Sequence, residues 1–138
     1  MAKMNWSQDD GSLKPGVYLA AVKDATEKTS KNGDPYFSLL LQATDFGKKL
    51  CHDTLMLAGG GWGIGKAKLS VLGFKDEPEI NAYDLVGRTC YVAVKEGEYN
   101  GQKKLEVDIR RGKGGYFELA PDGVLTPAPP TAEETPFG

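Results

Sequence analysis

Residues 36–45, YFSLLLQATD, constrain this chain more than any other stretch. Phe37, Leu39, Leu41 and Ala43 recur at every second position, with Tyr36, Ser38, Gln42 and Thr44 between them. That period belongs to a strand with one face on a core and the other towards solvent. Leu40 breaks the alternation, as expected of a central strand partly covered on its second side. The preceding loop, residues 28–35 (KTSKNGDP), carries Lys28, Lys31 and an Asn-Gly turn signal, and it puts Tyr36 at the strand's mouth. A basic loop that feeds an aromatic onto a sheet surface suits a charged, stackable polymer.

The rest of the chain supplies further strands around this one. Residues 17–26 (VYLAAVKDAT) read as a first strand, and residues 49–57 (KLCHDTLML) as a third, after a reversal at 46–48. A glycine-rich passage, 58–65, then leads into a short helix. Ile64, Ala67, Lys68, Val71 and Leu72 fit one helical face, and Gly73 stands where a C′ glycine belongs. Residues 74–83 are acidic and loop-like. Residues 84–95 (DLVGRTCYVAVK) give a fourth strand, with Cys90, Val92 and Val94 on one face. Residues 96–101 form a hairpin loop with a second Asn-Gly signal. Residues 102–111 (QKKLEVDIRR) give a fifth strand with Leu105, Val107 and Ile109 inward. Glycines at 112, 114 and 115 loosen the chain, and residues 116–119 add a short edge piece. Strand, strand, strand, helix, strand, strand is the order of the OB-fold, a five-stranded partly open barrel with a helix between strands three and four. The expected class is all-β: an OB-fold domain over 1–115, followed by an acidic, proline-rich tail over 116–138 that is disordered from residue 120 on.

Composition limits what such a domain can do. At 138 residues, with 40% apolar and 26% charged residues, one folded domain with its own core is expected. Neither a long apolar run nor a secretory signal stands out, so the expected compartment is the cytoplasm, with no membrane partner. Cys51 and Cys90 lie on separate strand-like segments and read as core filler rather than a disulfide. His52 is the sole histidine, so no metal site is expected, and no cofactor. Net charge is −2, yet it is unevenly spread. Residues 116–138 hold Glu118, Asp122, Glu133 and Glu134 and no Lys or Arg. Residues 1–115 therefore carry 17 basic against 15 acidic groups. A mildly basic body with an acidic tail fits a nucleic-acid binder.

Three constellations bear on chemistry. Residues 60–66 spell GxxxxGK, the opening of a phosphate-binding loop, but Ala67 stands where that loop needs Ser or Thr for magnesium. A flexible lead-in to a helix is the simpler reading, and Trp62 within it either caps the barrel or stacks on a base. The second constellation is a pair of loops. Lys28, Lys31 and Tyr36 belong to the first. Lys95, Tyr99, Lys103 and Lys104 belong to the hairpin between strands four and five, and Lys49 opens the third strand beside them. In OB-folds these loops and the faces of strands two and three form the oligonucleotide site. Lysines neutralise phosphates, and tyrosines offer faces on which any base stacks, at roughly 1–3 kcal/mol per base. The third is the terminus, where Glu133, Glu134, Pro136 and Phe137 make an acidic, aromatic tip on a proline-rich tether, suited to a partner's pocket.

Taken together, the strand order, the two basic tyrosine-bearing loops and the EETPF tip resemble single-stranded-DNA-binding proteins of the OB-fold kind. LKPGVYLAAVKDA followed by SKNGDPYFSLLLQ is similar to small phage-encoded members of that group. The resemblance covers residues 12–111 loosely and the tip more specifically. It implies non-enzymatic coating of single-stranded DNA in replication, recombination or repair, in the cytoplasm of a bacterial host. It also implies docking of replication or recombination proteins on Glu133, Glu134, Pro136 and Phe137. Two departures weaken the docking half: only two acidic residues precede Pro-Phe, and the chain ends in Gly138.

Competing readings remain open. An OB-type adaptor would bind a protein in the groove, and single-stranded RNA would satisfy the same stacking and phosphate contacts. A nuclease would want clustered carboxylates or a histidine base, whereas Asp24, Asp45, Asp53 and Asp108 are scattered over different strands. The barrel can act alone or as a homodimer paired through an exposed edge, for which Tyr91 on the fourth strand is available.

Overall fold

The computed structural model describes residues 13–127, with Tyr99 described by its backbone alone. Five strands make one antiparallel path: β1 (Gly16–Thr29), β2 (Pro35–Ala43), β3 (Lys48–Met56), β4 (Thr89–Tyr99) and β5 (Gln102–Val107). Their spatial order is β3-β2-β1-β4-β5, and a two-residue strand, β6 (Tyr116–Phe117), pairs with β4. The helix α1 (Trp62–Val71) lies between β3 and β4 in sequence. The two ends of the path, β3 and β5, approach each other, but no ladder joins them. The sheet curls round without closing.

The alternation in β2 does what its sequence dictates. Phe37, Leu39, Leu41 and Ala43 are buried, and Tyr36, Ser38, Leu40 and Gln42 between them are half-buried. Tyr18, Ala20 and Val22 of β1, Leu55 of β3 and Val92 of β4 pack on the same core. Irregular pairing between Val22 and Asp24, and between Leu41 and Gln42, breaks the register in β1 and β2. Such bulges bend a strand and increase its twist, which helps the sheet to wrap.

The helix seats itself through a glycine. A Cβ on Gly65 would lie 1.9 Å from the Met56 carbonyl oxygen, so only glycine lets α1 sit this close to β3. Gly65, Lys68, Leu69 and Leu72 then share the inward face at i, i+3, i+4 and i+7. Ile64, expected on that face, is 40% exposed. Gly73, at φ +103°, ends the helix as expected. Arg88 secures that end by donating to the Leu72 carbonyl at 3.3 Å while its guanidinium lies 4.5 Å from the centre of the Phe74 ring.

Several boundaries differ from the sequence reading, each for a local reason. β1 runs on to Thr29 because Lys28 and Thr29 pair with Tyr36 and Pro35. Lys28 is therefore a strand residue, and the turn is confined to 30–34, closed by Gly33 N–H on the Ser30 carbonyl. β4 starts at Thr89, since residues 82–85 form a 3₁₀ turn anchored by the fully buried Leu85. The β4–β5 turn shrinks to Asn100-Gly101, both at positive φ as a type I′ turn requires. β5 stops at Val107. Asp108 then turns the chain, its carboxylate accepting from Arg110 N–H, and Ile109 is left 46% exposed. The glycines at 114 and 115 are buried rather than loose, and Tyr116 is wholly buried. The packed body thus continues past residue 115, and a bridge between Val17 and Val124 holds a further stretch. Among the described residues no helix is long and apolar enough to cross a membrane.

Candidate nucleic-acid interface

Register decides which side chains share the outer surface of the sheet. Residues paired across antiparallel strands lie on the same face. Lys28, Tyr36 and Met56 form one row across β1, β2 and β3. Thr26, Ser38 and Thr54 form the next, and Asp24, Leu40 and His52 the one after. Beyond the bulge Gln42 pairs with Lys49. From the Tyr36 row to the Gln42 row the strand rises roughly 20 Å. Polar and amphipathic side chains line most of this length, with Leu40 and Met56 among them.

Beside it, the seam between β3 and β5 opens as a groove of about 500 Å³. Lys49, His52, Lys103 and Lys104 line it, with Leu50, Cys51, Leu105, Glu96 and, from the N-terminal side, Leu13 and Pro15. Three of the sequence-derived lysines therefore meet in one place. His52 joins them although nothing but its position on β3 marks it in the sequence. Its imidazole is held below the usual histidine range, first by desolvation and then by the positive charges of Lys49, Lys104 and Lys28. Those lysines come from β3, β5 and β1, so positive charge from three strands reaches the same imidazole.

The remaining candidates divide. Lys31 is exposed in the 30–34 turn, next to the Lys28–Tyr36 row. Lys95 is not part of the groove and pairs with Glu106 at 3.8 Å, while Lys103 has Glu96 at 4.0 Å. Tyr99 pairs with Gln102 at the hairpin end, but its side chain lies outside the described part of the molecule. Glu133, Glu134, Pro136 and Phe137 also lie outside the described residues. Trp62 neither caps the core nor lines the basic groove. It is 39% exposed and faces a separate hollow of about 340 Å³ with Lys66, Leu69, Phe74 and Ile80. Tyr91, offered as a pairing edge, is opposite Phe117, so β6 covers β4 there.

In the core, between α1, β3 and β6, sits a polar cluster that the sequence did not suggest. Lys68, 2% exposed, donates to Asp53 Oδ2 at 2.8 Å and to the Thr54 carbonyl at 3.3 Å. The Tyr116 hydroxyl donates to the same Asp53 oxygen at 2.6 Å. Burial, and then the Asp53 carboxylate, hold the Tyr116 phenol well above its ordinary range. Asp53 is thus committed to holding α1, β3 and β6 together. Cys51 and Cys90 are free and buried, with both thiols pushed up to about 12, mainly by burial. Thiols so far from ionising are inert as nucleophiles. Among the described residues no three His, Cys, Asp or Glu side chains gather in a way that could hold a metal ion.

The chain matches no protein-family model and no curated protein with which it was compared.

Proposed function

We propose that this chain is an OB-fold protein that binds single-stranded DNA without enzymatic activity and largely without regard to sequence. The observation that carries this reading is the convergence of Lys28, Tyr36, Lys49, Lys103 and Lys104 on one outer face and its bordering groove. The antiparallel order β3-β2-β1-β4-β5, with the ends of the path close together and one helix after β3, is what a partly open five-stranded barrel requires.

The chemistry follows from the side chains. The lysines neutralise phosphates and release counterions, which supplies affinity that falls with salt. Tyr36, half-buried and flanked by Lys28, offers one ring face on which any base stacks. Phosphate contacts and stacking read no base edges, so tolerance of sequence is the natural outcome. Duplex DNA, whose bases are already stacked, gains nothing from Tyr36. Through the acidic tip at Glu133, Glu134, Pro136 and Phe137, the bound strand would be presented to proteins of replication, recombination or repair.

The test is a titration of labelled oligo-dT, oligo-U and a matched duplex at two salt concentrations. Tight, salt-sensitive binding to oligo-dT with little for the duplex is the expected result. Equal affinity for oligo-U would widen the ligand to single-stranded RNA. No binding to any of them would overturn the reading.

A further inference from the structure

We propose that His52 is a contact residue of this interface whose imidazole takes up a proton when a phosphate backbone lies against it, so that binding tightens as the solution is acidified. The inference rests on the nucleic-acid reading above and deepens it.

Geometry is the first ground. His52 is exposed on the outer face of β3, opposite Leu40, and also lines the β3–β5 groove. It stands where the strand face and the groove meet, so a backbone following either surface passes the imidazole. Its surroundings are the second ground. From β2 it meets only the uncharged Ser38, Leu40 and Gln42. β1 contributes Lys28 and, two strands away in the same row, Asp24. β5 contributes Lys103, Lys104 and Glu106, β4 contributes Glu96, and β3 itself Lys48 and Lys49. Asp53, next in sequence, points to the opposite face and is held by Lys68 and Tyr116. The nearest charges are therefore mostly cationic, and they disfavour an imidazolium in the free protein.

A phosphate backbone reverses that balance. It brings negative charge to the same lysines, and its oxygens accept from an imidazolium N–H. By linkage, a ligand that prefers the protonated form draws a proton from solution and binds more tightly at low pH. The gain is full below the free imidazole's range and is lost as pH rises past the bound one.

The test uses the full chain, with oligo-dT affinity measured at pH 5.5, 7 and 8 and two salt concentrations, for wild type, His52→Gln and His52→Lys. Wild type should tighten about fivefold from pH 8 to pH 5.5, what one exposed charge pair supplies. Its log–log salt slope should steepen over the same range by up to about 0.7. His52→Gln should lose that pH dependence, and His52→Lys should keep the steeper slope at every pH. The α-amino group titrates in this range too, but equally in all three proteins, so the difference between variants is the readout. Binding that keeps the wild-type pH response in His52→Gln would overturn the role of His52 alone. Wild type failing to bind oligo-dT at any pH would instead remove the nucleic-acid reading, and this inference with it.

Discussion

Lys68 Nζ lies 2.8 Å from Asp53 Oδ2, in the core and beside the wholly buried Tyr116. A buried ion pair contributes little net stability as it stands, because desolvation offsets the attraction, but losing one partner strands a charge. Lys68→Met should therefore cost about 3–5 kcal/mol in urea denaturation. The double change Lys68→Met with Asp53→Leu should recover a large part of that loss. Tyr116→Phe, which removes only the donor to Asp53, should cost about 1–3 kcal/mol.

Two glycines of α1 should respond to alanine with opposite signs. At Gly65 the new methyl would collide with the Met56 carbonyl, and α1 would have to move off β3. A loss of about 1–3 kcal/mol or more is expected for Gly65→Ala. At Gly63 a Cβ meets nothing within 4 Å, so Gly63→Ala should stabilise by about 0.5–1 kcal/mol. Equal effects at both positions in thermal or urea unfolding would contradict the packing described.

Alkaline solution should unfold the protein through its thiols. Well below pH 9 both cysteines are neutral, folded or unfolded, and contribute nothing to pH dependence. Above pH 9 they ionise in the unfolded chain but stay protonated in the fold, where they are pushed up to about 12. Stability is then lost between pH 9 and pH 12. By pH 10 the loss is about 1.4 kcal/mol per thiol. Comparing urea midpoints at pH 8 and pH 10, Cys90→Ala should show about half of the thiol-dependent change. Tyr116, whose unfolded phenol ionises near 10, adds a smaller share that is already felt at pH 10 and is common to wild type and Cys90→Ala.

Side chains at the interface should separate by type of effect. Tyr36→Ala should weaken oligo-dT binding by roughly 1–3 kcal/mol while leaving the salt slope close to wild type. Lys49→Ala should lower that slope by about 0.7. Lys95→Ala should lower it by less, since Glu106 already engages Lys95 outside the groove. A tyrosine variant with unchanged affinity would remove stacking from the proposal.

Much of the architecture was legible in the sequence because it is written in local signals. The two-residue period of β2, the Asn100-Gly101 turn and the Gly73 helix stop each depend on a few neighbouring residues, and each stands as read. The errors lie where distant contacts overrule local ones. Lys28 looked like loop because only its pairing with Tyr36 makes it strand. Ile109 continued an apolar alternation, but the turn at Asp108 ends β5 first. Lys68 was read on an inward helical face without its counter-ion, since Asp53 is 15 residues away and Tyr116 is 63 residues from Asp53. Of the candidate interface, the lysines and Tyr36 could be named from spacing. His52 could not, because its meaning comes from three lysines on three strands.

The unjoined seam between β3 and β5 has a mechanical consequence. Everywhere else along the path, separating two strands means breaking rungs of backbone hydrogen bonds. At the seam no such rungs join β3 to β5, while the Lys68–Asp53–Tyr116 cluster ties α1, β3 and β6 together. Lys49, Lys103 and Lys104 stand on the two strands that flank this seam. In the proposed role, a strand whose bases differ in size would settle between them without breaking a backbone rung.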